Sequence, residues 1–231
     1  MKRAAGRARG HALRLHVQSL RRVRPIDGSY GRGRGLPVDR YYGERFIADN
    51  AALITGDVLE VGDDRYTRAH GGGRVRSSAV LHAEEGNPEA TLVGDLASGR
   101  GLPDGAAYDC LILYDTLQHI YDMQAAVATA YRLLRPGGSL LATFNGIAQV
   151  SRFDYEHWGD FWRPTDLAVS RVFAERFGSE NVTVATHGNV LAACALLYGL
   201  AAEDIGPRRL DHHDPDYQVC ITLRATRQPA S

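Results

Sequence analysis

The apolar positions of this chain change their period along its length. Short apolar runs at 58–61, 79–82, 90–93, 108–114, 139–144 and 182–186 read as strands, and Cys110, Leu111, Ile112 and Leu113 form an unbroken run. Unbroken runs mark strands buried on both faces of a parallel sheet. At 217–225, Val219, Ile221 and Leu223 alternate with polar residues, which predicts a last strand that is antiparallel. Between the runs the spacing turns helical. A helix is expected at 41–53 on Tyr42, Phe46, Ile47 and Leu53, with Asp39 as N-cap and Gly56 as terminator. A second spans 123–134 and is closed by Arg135-Pro136-Gly137-Gly138, a stop signal followed by a turn. A third runs from a Thr165 cap to Phe177, and 190–202 reads as a buried helix. The crossover from Gly62 to Ala79 is short and holds little helix. Strand and helix in alternation predict an α/β fold: a doubly wound, Rossmann-like, seven-stranded sheet with its last strand antiparallel.

Residues 1–35 follow a different pattern. Seven arginines fall between Arg3 and Arg24, and no acid precedes Asp27. Leu13, Val17 and Leu20 lie at helical spacing, so a basic helix is expected, continuing into a flexible arm at Gly31-Arg32-Gly33-Arg34-Gly35. A transit peptide and a nucleic-acid-binding arm are the alternatives. The expected organisation is this arm at 1–35 and one catalytic domain at 36–231.

Charge and cysteine content narrow the function. With 27 basic and 27 acidic residues the formal net charge is zero, so no global field favours nucleic acid or an anionic membrane. No apolar run reaches the roughly 18 residues of a membrane span. The cysteines, Cys110, Cys194 and Cys220, are widely spaced in apolar surroundings, which argues against zinc and for a reducing cytoplasm. His212-His213-Asp214-Pro215-Asp216 reads as a polar turn rather than a metal site. The expected partner is a small molecule, with no metal, nucleic acid or membrane; a homodimer is left open.

Ligands of an open parallel sheet bind beyond the carboxyl ends of its strands. Here those ends carry Glu60 and Gly62, His82 with Glu84, Asp95, Asp115 and Asn145. Strand-end carboxylates accept hydrogen bonds from ribose hydroxyls or an adenine amine, or else cap the following helix.

The ordered motifs resemble those of class I S-adenosylmethionine-dependent methyltransferases. Val58-Leu59-Glu60-Val61-Gly62 resembles their first motif, and Asp95-Leu96 with Leu102-Pro103 and Tyr108-Asp109 their adenine-side motif. Thr116-Leu117-Gln118-His119-Ile120 resembles an "LEHV" segment, and Leu134 to Leu140 an "LKPGG-L" segment. The resemblance covers about residues 36–225. Gly35 to Tyr42, with its "PVDRYY", and the "WGDFWRPT" of Trp158 to Thr165 resemble segments of bacterial methyltransferases found beside glycosyltransferases. Two departures stand out. The glycine loop reads Glu60-Val61-Gly62-Asp63-Asp64-Arg65, keeping one glycine, and His82 stands where the ribose-binding acid is usual.

The resemblance implies S-adenosylmethionine as cofactor, held by Arg40, Tyr41, Glu60, Gly62, His82, Glu84, Asn87, Asp95, Leu96 and Tyr114. Arg40 and Tyr41 would meet the methionine carboxylate, or Arg40 would pair with Glu44 on its own helix. Glu84, Glu85 or Asn87 would replace the ribose acid. His119 is the expected general base with Asp115 beside it, because histidine titrates near neutrality and can take a hydroxyl proton; packing beneath the cofactor is its other reading. His157, Trp158, Trp162 and Arg163 would line the acceptor side. The expected reaction is methyl transfer to a hydroxyl of a sugar or specialised metabolite. N-methylation, a non-catalytic partner of a biosynthetic enzyme and, last, a nicotinamide oxidoreductase are the alternatives; the last lacks G-x-G-x-x-G after the first strand.

Overall fold

The computed structural model describes residues 22–229; the expected basic helix before Arg22 lies outside them. Seven strands form one sheet in the order β3-β2-β1-β4-β5-β7-β6. They are β1 Gly56–Val61, β2 Val75–His82, β3 Leu92–Val93, β4 Tyr108–Leu113, β5 Leu134–Asn145, β6 Val182–His187 and β7 Cys220–Thr226. Only β7 runs against its neighbours, pairing antiparallel with both β5 and β6. The eight helices of the described residues are α1 Val38–Asp49, α2 Arg65–His70, α3 Met123–Leu133, α4 Arg152–His157, α5 Asp166–Phe177, α6 Val190–Tyr198, α7 Ala202–Ile205 and α8 Pro207–Leu210.

The unbroken run of β4 is explained by burial on both faces. Leu111 and Leu113 enter a core with Leu59, Leu140 and Phe144 of neighbouring strands and with Ala126, Val127, Ala130 and Leu133 of α3 and Phe173 and Phe177 of α5. Cys110 and Ile112 point the other way, toward Ile47 of α1, Ile54 and Tyr66. The period-two geometry of a strand requires this division. A third cluster joins α1 to α6 through Val38, Tyr42, Ala192 and Leu196.

Several boundaries differ from the pattern-based expectation. Helix α1 starts at Val38 with Pro37 as its cap, so Asp39 lies inside the first turn and is buried rather than capping. Asn50 ends α1, and Gly56, at φ +66°, opens β1 instead of terminating the helix. Strand β5 begins at Leu134 and carries the Pro136-Gly137 turn as an excursion. Its register with β4 passes from Tyr108↔Leu134 to Cys110↔Ser139, so Arg135 to Gly138 loop out, with Gly137 at φ +80°. Thr165 caps α5 as expected, its hydroxyl accepting from the Ala168 amide.

The segment expected as a flexible arm is packed from Ile26 onward. The Ile26 amide donates to the Tyr198 carbonyl at 2.8 Å, and Ile26, Tyr30 and Leu36 lie against the α1–α6 cluster. Gly199 adopts φ +69° where the backbone of Asp27 crosses it; a β-carbon there would collide with the Asp27 carbonyl. No described helix is long and apolar enough to cross a membrane.

Candidate active site

The chain order reverses beside β1, which has β2 on one side and β4 on the other. Such a switch point opens a crevice at the carboxyl ends of the strands. Here it is an open cleft of about 790 Å³, with Gly62, His82, Asp95, Asp115 and Asn145 contributed by β1 to β5 and their following turns. That size suits a cofactor-scale small molecule.

The β1 side is shaped by one glycine and one buried acid. Gly62 sits at φ +88°, and a β-carbon on it would meet nothing within 4 Å, so its backbone faces open space. The Glu60 carboxylate does not reach the cleft: it accepts from the amides of Tyr66 (3.1 Å) and Thr67 (2.8 Å) and from the Thr67 hydroxyl. It thereby satisfies the free amides that begin α2, and burial raises its pKa against those bonds. Asn87 also serves the turn, donating to the Gly62 carbonyl at 2.6 Å. Asp95 accepts from the Ala97 amide and the Ser98 hydroxyl, which hold its carboxyl below the usual range.

Above β4 the cleft is flanked by charge. The Arg40 guanidinium lies 5.4 Å over the Tyr114 ring, which stacks on Tyr66 at 4.8 Å. Burial pushes the Tyr114 hydroxyl well up. Asp115 adopts φ +48° and accepts from the Thr143 hydroxyl at 2.8 Å. Burial, and next the carboxylate of Asp39, push Asp115 up to about 6.

His119 follows on a short 3-10 turn. Its Nδ1 lies 2.9 Å from the Gly159 carbonyl, which can only accept, so Nδ1 carries the proton. Nε2 is then an acceptor with no protein hydrogen bond among the described residues, on a side chain that lines the cleft. The opposite wall is Trp158, edge-on to His82 at 5.1 Å, with His157 and Phe161. It is held by a buried ion pair in which both Arg163 terminal nitrogens donate to Asp160, at 2.6 and 2.7 Å. Burial would raise the Asp160 carboxyl, yet Arg163 and the Ser151 amide keep it below the usual range.

Of the residues singled out in the sequence, Arg40, Gly62, His82, Glu84, Asp95, Leu96, Tyr114, Asp115, His119, His157, Trp158 and Arg163 line this cleft. Four are placed elsewhere. Tyr41 donates to Asp211 on the far side of α1, Glu60 and Asn87 brace the β1 turn, and Trp162 is exposed, its indole donating to the Ile120 carbonyl. Arg163 spends its terminal nitrogens on Asp160 and on the carbonyls of Trp162 and Gln149. Sequence reading took Asp39 for a helix cap and Gln118 for part of a motif and gave neither a place in the cleft, which both line, because a buried acid and a buried amide inside apolar segments carry no pattern of their own. Among the described residues no cluster of three or more His, Cys, Asp or Glu side chains could hold a metal.

A family model described as a methyltransferase domain matches residues 74–142. No curated protein sequence matches the chain. The N-methyltransferase NodS of Bradyrhizobium japonicum, in complex with S-adenosylhomocysteine, is 13% identical at TM-score 0.50, over 87% of this chain and 93% of that one. The [4+2]-cyclase SpnF is 14% identical at TM-score 0.50, over 86% and 85%. Haemonchus contortus phosphoethanolamine N-methyltransferase 2 is 14% identical at TM-score 0.48; the match takes in 79% of this chain and 53% of that enzyme, so the chain spans about half its length. At such identities the likeness concerns architecture alone. The chain is thus similar to a methyltransferase domain over residues 74–142, and its seven-stranded α/β sheet has the architecture of these solved structures.

Proposed function

We propose that this chain is a methyltransferase that transfers the methyl group of S-adenosylmethionine to a hydroxyl of a small molecule, a sugar or a specialised metabolite. The observation that carries the reading is the Nδ1 bond of His119 to Gly159, which leaves a basic Nε2 in the cleft. An alcohol needs a base as its oxygen attacks, whereas a neutral amine does not.

The cleft suits the cofactor on the β1–β3 side, where Gly62 leaves room for close backbone approach and Asp95, Leu96 and Glu84 line the wall. Arg40 supplies a cation for the methionine carboxylate. The cofactor brings an electrophilic methyl on a sulfonium. Tyr114, Asp115 and His119 face that part of the cleft from β4 and its turn. Trp158 and Phe161 wall the acceptor side, and His119 Nε2 takes the hydroxyl proton. Most of the acceleration comes from holding oxygen and methyl in line.

Calorimetry with S-adenosylhomocysteine tests the cofactor, and methyl transfer from labelled S-adenosylmethionine to matched alcohol and amine acceptors tests the atom. Binding followed by alcohol methylation supports the reading. Amine methylation alone moves it to nitrogen, and absence of binding removes it.

A further inference from the structure

Gln118 is 2% exposed and lines the cleft. Its backbone carbonyl accepts from the amides of Phe161 (3.1 Å) and Trp162 (3.2 Å). Its side-chain Oε1 accepts from the Asn145 amide at 3.0 Å. A backbone N–H can bond only to the oxygen of a carboxamide, so the orientation of this amide is fixed. Nε2, with two donors, has no partner among the described residues. Next to it, Asn145 closes β5 at the same cleft, and its buried Oδ1 has no partner either. A free donor and a free acceptor thus stand together at the ends of β4 and β5.

An unmatched buried acceptor such as Asn145 Oδ1 is uncommon and points to a bound group that completes it, with the unpartnered Gln118 Nε2 as a second contact. A hydroxyl does so, donating to Asn145 Oδ1 while accepting from Gln118 Nε2. An ammonium has no lone pair for Gln118, and a carboxylate has no proton for Asn145. The hydroxyl held here is not the one that reacts, because its proton goes to Asn145 rather than to His119. His119 follows Gln118 on the same turn and lines the same cleft, so an acceptor that reaches both residues carries the reacting hydroxyl and the held one on one small frame.

We infer that Gln118 and Asn145 are specificity-determining residues that hold a second hydroxyl adjacent to the methylated one, so that the acceptor is a vicinal diol, as in a sugar ring or a catechol. This rests on the methyl-transfer reading for the reacting oxygen but not for the diol clamp itself.

The full chain, with and without S-adenosylhomocysteine, is titrated with trans-cyclohexane-1,2-diol, cyclohexanol and trans-2-aminocyclohexanol, following the side-chain amide signals by ¹H–¹⁵N NMR. Gln118→Glu and Asn145→Asp assign the two signals. The diol is expected to shift both and to bind on the order of tenfold more tightly than cyclohexanol, the size of one neutral hydrogen bond. Asn145→Leu should abolish that preference; Asn145→Asp, which keeps an acceptor, should retain it. Equal binding of the diol and cyclohexanol, or preference for the amino alcohol, overturns the clamp. A chain that binds no S-adenosylhomocysteine yet prefers the diol keeps the clamp and loses the methyl-transfer reading.

Discussion

The Nδ1 of His119 and the carbonyl oxygen of Gly159 stand 2.9 Å apart, joining the turn after β4 to the cleft wall that carries Trp158 and Phe161. This bond fixes the ring tautomer and its direction together. His119→Ala should therefore lower turnover by about 10²–10⁴-fold with little change in S-adenosylhomocysteine affinity. Steady-state kinetics beside calorimetry check this; loss of cofactor binding in the variant would assign the ring a packing role.

Asp115 gives the fold a pH-dependent weakness. Its carboxyl is pushed up to about 6, against about 3.9 in an unfolded chain. The protonated form is favoured in the folded state, so its stabilisation is complete below pH ~4 and is lost as pH rises through about 6. Asp115→Asn should remove that loss, becoming more stable relative to the parent by on the order of 1–3 kcal/mol between pH 4 and 7. Asparagine also tolerates the left-handed backbone at this position. Urea unfolding of both proteins across that range is the measurement, and a constant difference would contradict it.

Gly62→Arg should abolish S-adenosylhomocysteine binding while leaving a folded protein. The added side chain enters open space instead of the core, so the cost to stability is confined to the positive φ, about 1–2 kcal/mol. Calorimetry and thermal unfolding separate the two effects.

Arg163 is expected to matter for stability before it matters for the acceptor. Arg163→Met leaves the fully buried Asp160 side chain without its partner and should cost about 2–4 kcal/mol, read by denaturant unfolding. A variant as stable as the parent would return Arg163 to the role of an acceptor ligand.

Truncation distinguishes two parts of the basic segment. Removing residues 1–24 keeps the Ile26–Tyr198 bond and the Tyr30 packing, and the melting temperature should change little. Removing 1–35 strips Ile26 and Tyr30 from the α1–α6 cluster and should lower it by several degrees.

The sheet was legible because parallel strands buried on both faces leave unbroken apolar runs, as in 110–113. The antiparallel β7 showed through its alternation. Short elements were less so: α4 buries none of its residues, so it has no apolar stripe, and of the run at 90–93 only Leu92–Val93 pair as β3. Residue type located the cleft acids but not their direction. Glu60 ends a strand like Asp115 does, yet its carboxylate turns under the sheet end to cap α2. Gln118 was hidden because its role comes from Asn145 and Phe161, which lie far from it in sequence.

The cleft wall formed by residues 153–163 has a division of labour that bears on how such a protein diversifies. Residues 159–163 are fastened by Gln118, His119 and the Asp160–Arg163 pair, whereas α4 contributes Phe153 and His157 to the cleft from a helix with no buried residue. Exchanges in α4 cost the frame almost nothing, so a change of diet can be selected there one side chain at a time. The fastened strip, where any single loss weakens the whole enzyme, is the part descendants would share.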